Sequence, residues 1–226
     1  YVDGTQGWKA TDTSSIDDIY LAPSYVVATG GTITTVCTDY KVHTFTGPGT
    51  FCVSAGSGPL ATVSYVAVAG GGGSVHDRGG GGGAGGFREG YNPGSYTASP
   101  LAATALPVSI QGYAVTIGAG GTADNSPPYD PGLGGNGGPS TFSTITSTGG
   151  GAGNRASPQN GDAGGSGGGA GTNPAVSPVA GTGGAGNSPS VSPPQGNPGG
   201  GSTSSPQQTG GGGGATAAGG NGGSPS

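Results

Sequence analysis

Gly164-Gly165-Ser166-Gly167-Gly168 is one of four copies of a unit in which two glycines stand on each side of a small residue. The others run from Gly82 to Gly86 around Ala84, Gly134 to Gly138 around Asn136, and Gly219 to Gly223 around Asn221. The unit has a period of three. An α-helix repeats at about 3.6 residues and a strand at 2, so neither keeps equivalent positions on one face. A polyproline-II-type helix has three residues per turn and does. Two of its edges would then be glycine and the third a small residue. With no Cβ on two edges, such helices can approach backbone to backbone.

Glycine loses more conformational freedom on folding than any other residue and buries almost no apolar area, so composition alone favours disorder. The arrangement argues for order. Glycine runs at 149–153, 161–171, 181–186, 199–201, 210–214 and 219–223 alternate with segments such as Asn173-Pro174-Ala175-Val176-Ser177-Pro178. Runs of roughly 5 to 10 residues at about 3.1 Å each make rods of roughly 15 to 30 Å. Proline-stiffened turns between them would let the rods stack. Such rods make no internal hydrogen bonds, so each buried N–H and C=O must pair with a neighbouring rod.

Upstream the texture is β. Tyr1-Val2, the turn signal Asp3-Gly4 and Gly7-Trp8 predict a short hairpin, and Ser14 to Leu21 could make one helical turn before Pro23. Thr32 to Val36, Tyr40 to Thr46 and Thr50 to Ser54 read as strands, the last two joined as a hairpin across Gly47-Pro48-Gly49. Val63 to Val68 is apolar enough to lie inside the sheet. Later strands are expected at Val108 to Ile110, Tyr113 to Ile117 and Thr141 to Thr146. The expected fold is therefore mainly β and non-regular, with little or no α-helix. Residues 1–29 read as the end of an upstream module and a linker, and 30–69 as a small antiparallel β domain. Residues 70–226 read as a bundle of polyglycine-II helices with loops at both ends and β insertions near 108–117 and 141–146.

Glycine accounts for 58 of the 226 residues, only 7% are charged, and the formal net charge is −5. Five basic residues, Lys9, Lys41, Arg78, Arg88 and Arg155, form no patch suited to a phosphate backbone, so no nucleic-acid partner is expected. The longest apolar run, Val63 to Ala69, is too short to cross a bilayer. The chain has no methionine and opens abruptly at Tyr1, from which upstream sequence is expected. Cys37 and Cys52 are the only cysteines; they could close a disulfide or stay as two buried thiols.

Catalytic signatures are absent. Gly181-Thr182-Gly183-Gly184-Ala185-Gly186 matches the dinucleotide-binding pattern literally, but no strand precedes it and no helix former follows. His43 and His76 are too isolated to act as a base beside a nucleophile or to complete a zinc site. Glu89 and the scattered aspartates, Asp17-Asp18 included, give no paired carboxylates and no calcium set. No catalytic residue, metal or cofactor is expected. What remains is a surface of loops. Arg88, Tyr91, Tyr96 and Tyr129 lie between glycine runs and could anchor a sugar or a protein loop; equally, such tyrosines could cover the small core, as Tyr113 is expected to do.

Tyr40 to Gly47, Gly49-Thr50-Phe51 and Val63 to Gly73 follow one another in an order that resembles the glycine-rich domain of tail-fibre and other virion proteins of tailed phages, marine ones especially. Gly83 to Gly90, Thr97 to Leu101, Val115 to Gly121 and Ser140 to Thr146 continue the likeness, which spans residues 30–226. The resemblance implies a non-enzymatic fibre or fibre-tip adhesin on the virion surface. It would be similar to T-even-like tip adhesins, whose stacked polyglycine-II helices carry receptor-binding loops. Its partners would be a host polysaccharide or outer-membrane protein and other virion proteins. The β domain in front departs from those tips and leaves both a monomeric cap and a homotrimeric fibre terminus open. Two other functions compete: an ice-binding bundle with a flat face of small residues, and a purely structural filament component.

Overall fold

The structure, a computed structural model, describes residues 2–3, 7–8, 25–38, 40–91, 102–124, 133–155, 159–172, 179–204 and 207–223. It is mainly β with almost no helix; a 3-10 turn at Gly58–Leu60 is the one helical element among the described residues. The expected hairpin at the start is present, Val2 facing Trp8 and Asp3 facing Gly7. The helical turn expected at Ser14 to Leu21 lies outside the described residues.

The principal sheet has five antiparallel strands in the order Ile145–Ser147, Ser140–Phe142, Gly112–Thr116, Gly49–Ala55, Val27–Thr29. Strand alternation selects its apolar face. Phe51 and Val53 are buried while Thr50, Cys52 and Ser54 face out, and Tyr113 and Val115 do the same on the neighbouring strand. With Val108 they form the core, on which Val26, Phe45, Leu106 and Phe142 pack. Phe142 meets Phe51 edge-on at 5.8 Å and Tyr113 at 6.3 Å.

Several strand expectations need correction. Tyr40–Thr44 pairs back on Thr32–Val36, not across Gly47-Pro48-Gly49. Gly49–Ala55 pairs with Gly112–Thr116 and Val27–Thr29, where Phe51 and Val53 join Val108, Tyr113 and Val115 in the core. Gly30 and Gly31, at φ of 107° and 64°, let the chain leave the sheet for that ribbon. The apolar stretch 63–68 splits, and Val66 and Val68 are 62% and 52% exposed rather than inside. Val108 to Ile110 is not a strand; Leu106–Pro107 pairs with Thr62–Val63 instead. Ser143, at φ of 55°, turns the expected strand 141–146 into a hairpin.

The glycine runs are joined by backbone hydrogen bonds with a three-residue rhythm. Gly80, Gly83 and Gly86 donate to Asn154, Gly151 and Thr148, whereas Gly81 and Ala84 donate to Gly210 and Gly213. Residues three apart therefore serve one neighbour, and those between serve another. The bonds order the segments in three layers. The first is 118–123, 69–74, 79–86, 210–214 and 218–223; the second is 134–139, 149–155, 164–172 and 196–201; the third is 159–163 and 181–186.

Segment 164–172 lies at the centre, bonded to six others. Gly169 and Thr172 donate to Gly81 and Arg78; Gly168 and Gly171 to Asp162 and Gln159; Gly167 and Ala170 to Asn197 and Gly200. Gly210 and Gly213 donate to Ala170 and Gly167, Gly184 donates to Gly168, and Gly165 donates to Gly149. Its glycines are required by space rather than by backbone angle. None of the described glycines beyond Gly58 has φ between +20° and +160°, yet a Cβ on Gly168 would overlap the carbonyl oxygen of Ala152, and one on Gly167 that of Gly184.

Candidate functional site

The hydrogen bonds give the bundle two distinct ends. At one, Ala69, Gly86, Thr148 and Gln195 come together through Ala69 N–H to Gly86 O, Gly86 N–H to Thr148 O and Phe87 N–H to Gln195 O. The β strands continue from this end. At the other, distal end Arg78, Asp124, Arg155 and Thr172 meet. Side-chain chemistry inside the bundle is small and uncharged, so the ionisable groups at this distal end stand out.

Ser74 to Gly79 forms the distal turn. Val75 bridges Asp124 in parallel, His76 N–H donates to Asp124 O at 2.8 Å, and the Asp124 carboxylate accepts Leu133 N–H at 3.0 Å. Asp77 and Arg78 then take left-handed conformations, φ 53° and 57°, which non-glycine residues seldom adopt. A buried group holds them there. Arg155, 2% exposed, donates from Nη1 to both the main-chain oxygen and the carboxylate of Asp77, each at 3.3 Å. Arg78 Nε lies 3.8 Å from the other Asp77 oxygen, and Arg78 O accepts Thr172 N–H. His76, Asp77 and Arg78 are exposed side by side at the tip. Beside them Asn154 donates to Asp162 at 2.7 Å, and Gly181 and Ser202 bond reciprocally.

Of the four residues expected from sequence, the structure describes Arg88 and Tyr91, and it does not bring these two together. Arg88 and Tyr91 were expected in a loop; instead they sit in the strand Phe87–Tyr91, the middle of a three-stranded sheet between Tyr65–Val68 and Ala102–Thr104. Arg88 faces Ala67 and Tyr91 faces Thr104, at positions of opposite parity, so their side chains lie on opposite faces of the sheet. Burial pushes the nearby Tyr65 phenol up, and the Arg88 charge pulls it partly back. Tyr96 and Tyr129 lie outside the described residues. Cys37 and Cys52 are free, exposed thiols, the first on the turn of the ribbon and the second on the outer face of its strand. Sequence reasoning missed Asp77, Arg78 and Arg155. The available signal was His76-Asp77-Arg78, the one run of three ionisable residues after residue 69.

Among the described residues no group of three or more His, Cys, Asp or Glu side chains could hold a metal ion, and no helix is long and apolar enough to cross a membrane. A β scaffold bearing backbone-packed glycine segments defines a glycine-rich protein. Residues 44–226 match the family model described as a glycine-rich domain, and the chain belongs to that family. No curated protein and no solved structure gives a match.

Proposed function

We propose that this chain is a non-enzymatic virion protein, a tail-fibre or fibre-tip adhesin. In this reading its glycine segments are polyglycine-II helices forming a rigid rod, and loops at the distal end meet a host-surface receptor. The three-residue rhythm of the backbone bonds supports the helices, since a three-fold helix presents donors in three directions. The observation that carries the adhesin reading is the segregation of chemistry. Glycines in the interior cannot change without forcing backbones apart, while the side chains of His76 and Arg78 are exposed at a tip that buried Arg155 braces through Asp77. The likeness to phage fibre domains supports the virion setting. A host polysaccharide or outer-membrane protein would be the ligand.

Attachment of the purified chain to host cells, or to their surface polysaccharide, tests this. The double change His76→Ala and Arg78→Asn, which leaves Asp77 paired with Arg155, abolishes attachment with folding intact if the tip binds. If instead the triple change Tyr91→Ala, Tyr96→Ala and Tyr129→Ala abolishes it, recognition belongs to the tyrosines. Binding by neither parent nor variants to any host surface ends the adhesin reading.

One observation favours ice binding as the second function. The outward positions of the five-segment layer, including Gly71, Ser74, Ala84, Gly211, Gly214 and Gly220, carry only small side chains, and a Cβ at Gly220 would meet nothing within 4 Å. Thermal hysteresis at micromolar protein would move this function ahead of the adhesin.

A further inference from the structure

The chain contains three Asn-Gly pairs, Asn136-Gly137, Asn160-Gly161 and Asn221-Gly222, and all three grip a neighbouring segment in the same way. In each, the asparagine Oδ1 accepts a backbone N–H and the following glycine N–H donates to a backbone carbonyl of that same segment. Asn160 Oδ1 accepts Thr182 N–H at 2.9 Å, and Gly161 N–H donates to Thr182 O at 3.0 Å. Asn221 Oδ1 accepts Gly201 N–H at 2.8 Å, and Gly222 N–H donates to Gly201 O at 2.8 Å. Asn136 Oδ1 accepts Ala152 N–H at 2.7 Å, with Gly137 N–H on Gly150 O at 2.9 Å. The side-chain carbonyl stands in for a backbone carbonyl, so each pair clamps its neighbour from both sides.

Asn-Gly is also the dipeptide most open to attack by its own backbone, because glycine has no side chain to block the approach of its nitrogen to the asparagine Cγ. The clamp opposes that attack. It commits the glycine N–H to a neighbour's oxygen and fixes the side-chain amide by Oδ1. Modification therefore requires the clamp to open, and the three clamps are not equally held. Segment 134–139 bonds to 69–74, 118–123 and 149–155, and 159–163 bonds to 149–155, 164–172 and 181–186. Asn136 and Asn221 are both exposed, but among the described residues segment 218–223 is bonded only to 196–201 and 210–214, one neighbour fewer than either of the others.

We propose that Asn221-Gly222 is a site of spontaneous covalent modification that releases the last glycine segment from the bundle. When the clamp opens, Gly222 N loses its proton and bonds to Asn221 Cγ. The Cγ–Nδ2 bond breaks, the proton and the amide leave together as ammonia, and a succinimide remains. Water then adds to a ring carbonyl. Opening at the main-chain carbonyl gives isoaspartate, in which the backbone runs through the side-chain carbon; opening at Cγ gives aspartate. Isoaspartate adds a methylene to the chain, which breaks the three-residue rhythm and takes Gly222 N–H away from Gly201 O. Aspartate keeps the backbone and an acceptor for Gly201 N–H. Residues 163–226 carry no ionisable side chain, so either product puts the first such charge into this region.

The full chain, folded and urea-unfolded, is aged at neutral pH, and each asparagine is followed by peptide mass spectrometry and isoaspartate-specific methylation. In the folded chain modification falls on Asn221 alone, about tenfold more slowly than in urea. The isoaspartate product loses amide-exchange protection at Gly219 and Gly222, while Asn221→Asp retains it. Equal rates at Asn136, Asn160 and Asn221 in the folded chain, an Asn221 that stays intact there, or an isoaspartate product that keeps its protection would each overturn the proposal.

Discussion

Gln195 and Thr148, 47 residues apart in sequence, are joined by two hydrogen bonds: Gln195 Oε1 accepts Thr148 N–H at 2.8 Å, and Gln195 Nε2 donates to Thr148 Oγ1 at 3.2 Å. The same amide donates to Pro189 O at 3.0 Å, and the side chain is fully buried. Gln195→Ala removes all three bonds and leaves Thr148 N–H without its acceptor, which should cost about 3 kcal/mol in urea unfolding. A loss below about 1 kcal/mol would mean that water takes over the role of the amide.

Gly168 and Gly220 should respond oppositely to alanine, although neither has a left-handed backbone. At Gly168 the new Cβ overlaps Ala152 O, so the central segments must separate, at a cost of about 3 kcal/mol or more. At Gly220 the Cβ meets open space, and the unfolded chain loses freedom, so a gain of about 0.5 kcal/mol is expected. Calorimetric midpoints of the two variants check the contrast.

Ser166 is fully buried, and its Oγ has no hydrogen-bond partner. Ser166→Ala keeps the volume close to constant and removes the stranded hydroxyl. The variant should be more stable by about 1 kcal/mol. A destabilised variant would place an ordered water on that hydroxyl.

Asp77→Asn preserves a residue type tolerant of the left-handed backbone but removes the carboxylate beside Arg155. Stability should fall by about 2 kcal/mol, with faster amide exchange at His76 and Thr172, whose N–H groups bond across this end. Unchanged exchange there would separate the ion pair from the order of the tip.

Two tyrosines should titrate on either side of their ordinary value. Burial holds Tyr65 above 10.0, whereas hydrogen bonds from Gln111 and Ser109 hold Tyr113 below it. Below 10.0 the contribution of Tyr65 to stability is complete, and it is lost as pH rises through the raised folded value. Tyr113 contributes in the opposite sense: its stabilisation is present above the ordinary value and is lost as pH falls through the lowered one. In an alkaline absorbance titration Tyr113→Phe should delete a component below the ordinary value and Tyr65→Phe one above it.

The rhythm of the glycine segments was legible because it is steric: close backbone approach demands glycine at fixed spacing, and the spacing is written in the chain. Strand partners were not. Gly47-Pro48-Gly49 is a strong local turn signal, yet Phe51 faces Tyr113, and burial of that distant pair outweighs the turn. Phe87–Tyr91 was hidden because glycine and glutamate within it suppress any strand pattern, so Arg88 and Tyr91 read as loop residues. The bracing of Asp77 by Arg155 joins residues 78 apart, and no local pattern announces such a pair. Gln195, one glutamine in a Ser/Pro loop, gave no sign that it would be among the most buried side chains.

An interior made of amide against amide alters how the bundle should respond to temperature. Unfolding segment 164–172 exposes chiefly peptide groups, and polar exposure lowers the heat capacity where apolar exposure raises it. The heat-capacity increment on melting should therefore fall below the usual value of about 12–15 cal/mol/K per residue, flattening the curve of stability against temperature. Cold weakens proteins whose cohesion is hydrocarbon; a lattice of backbone hydrogen bonds keeps its hold near freezing.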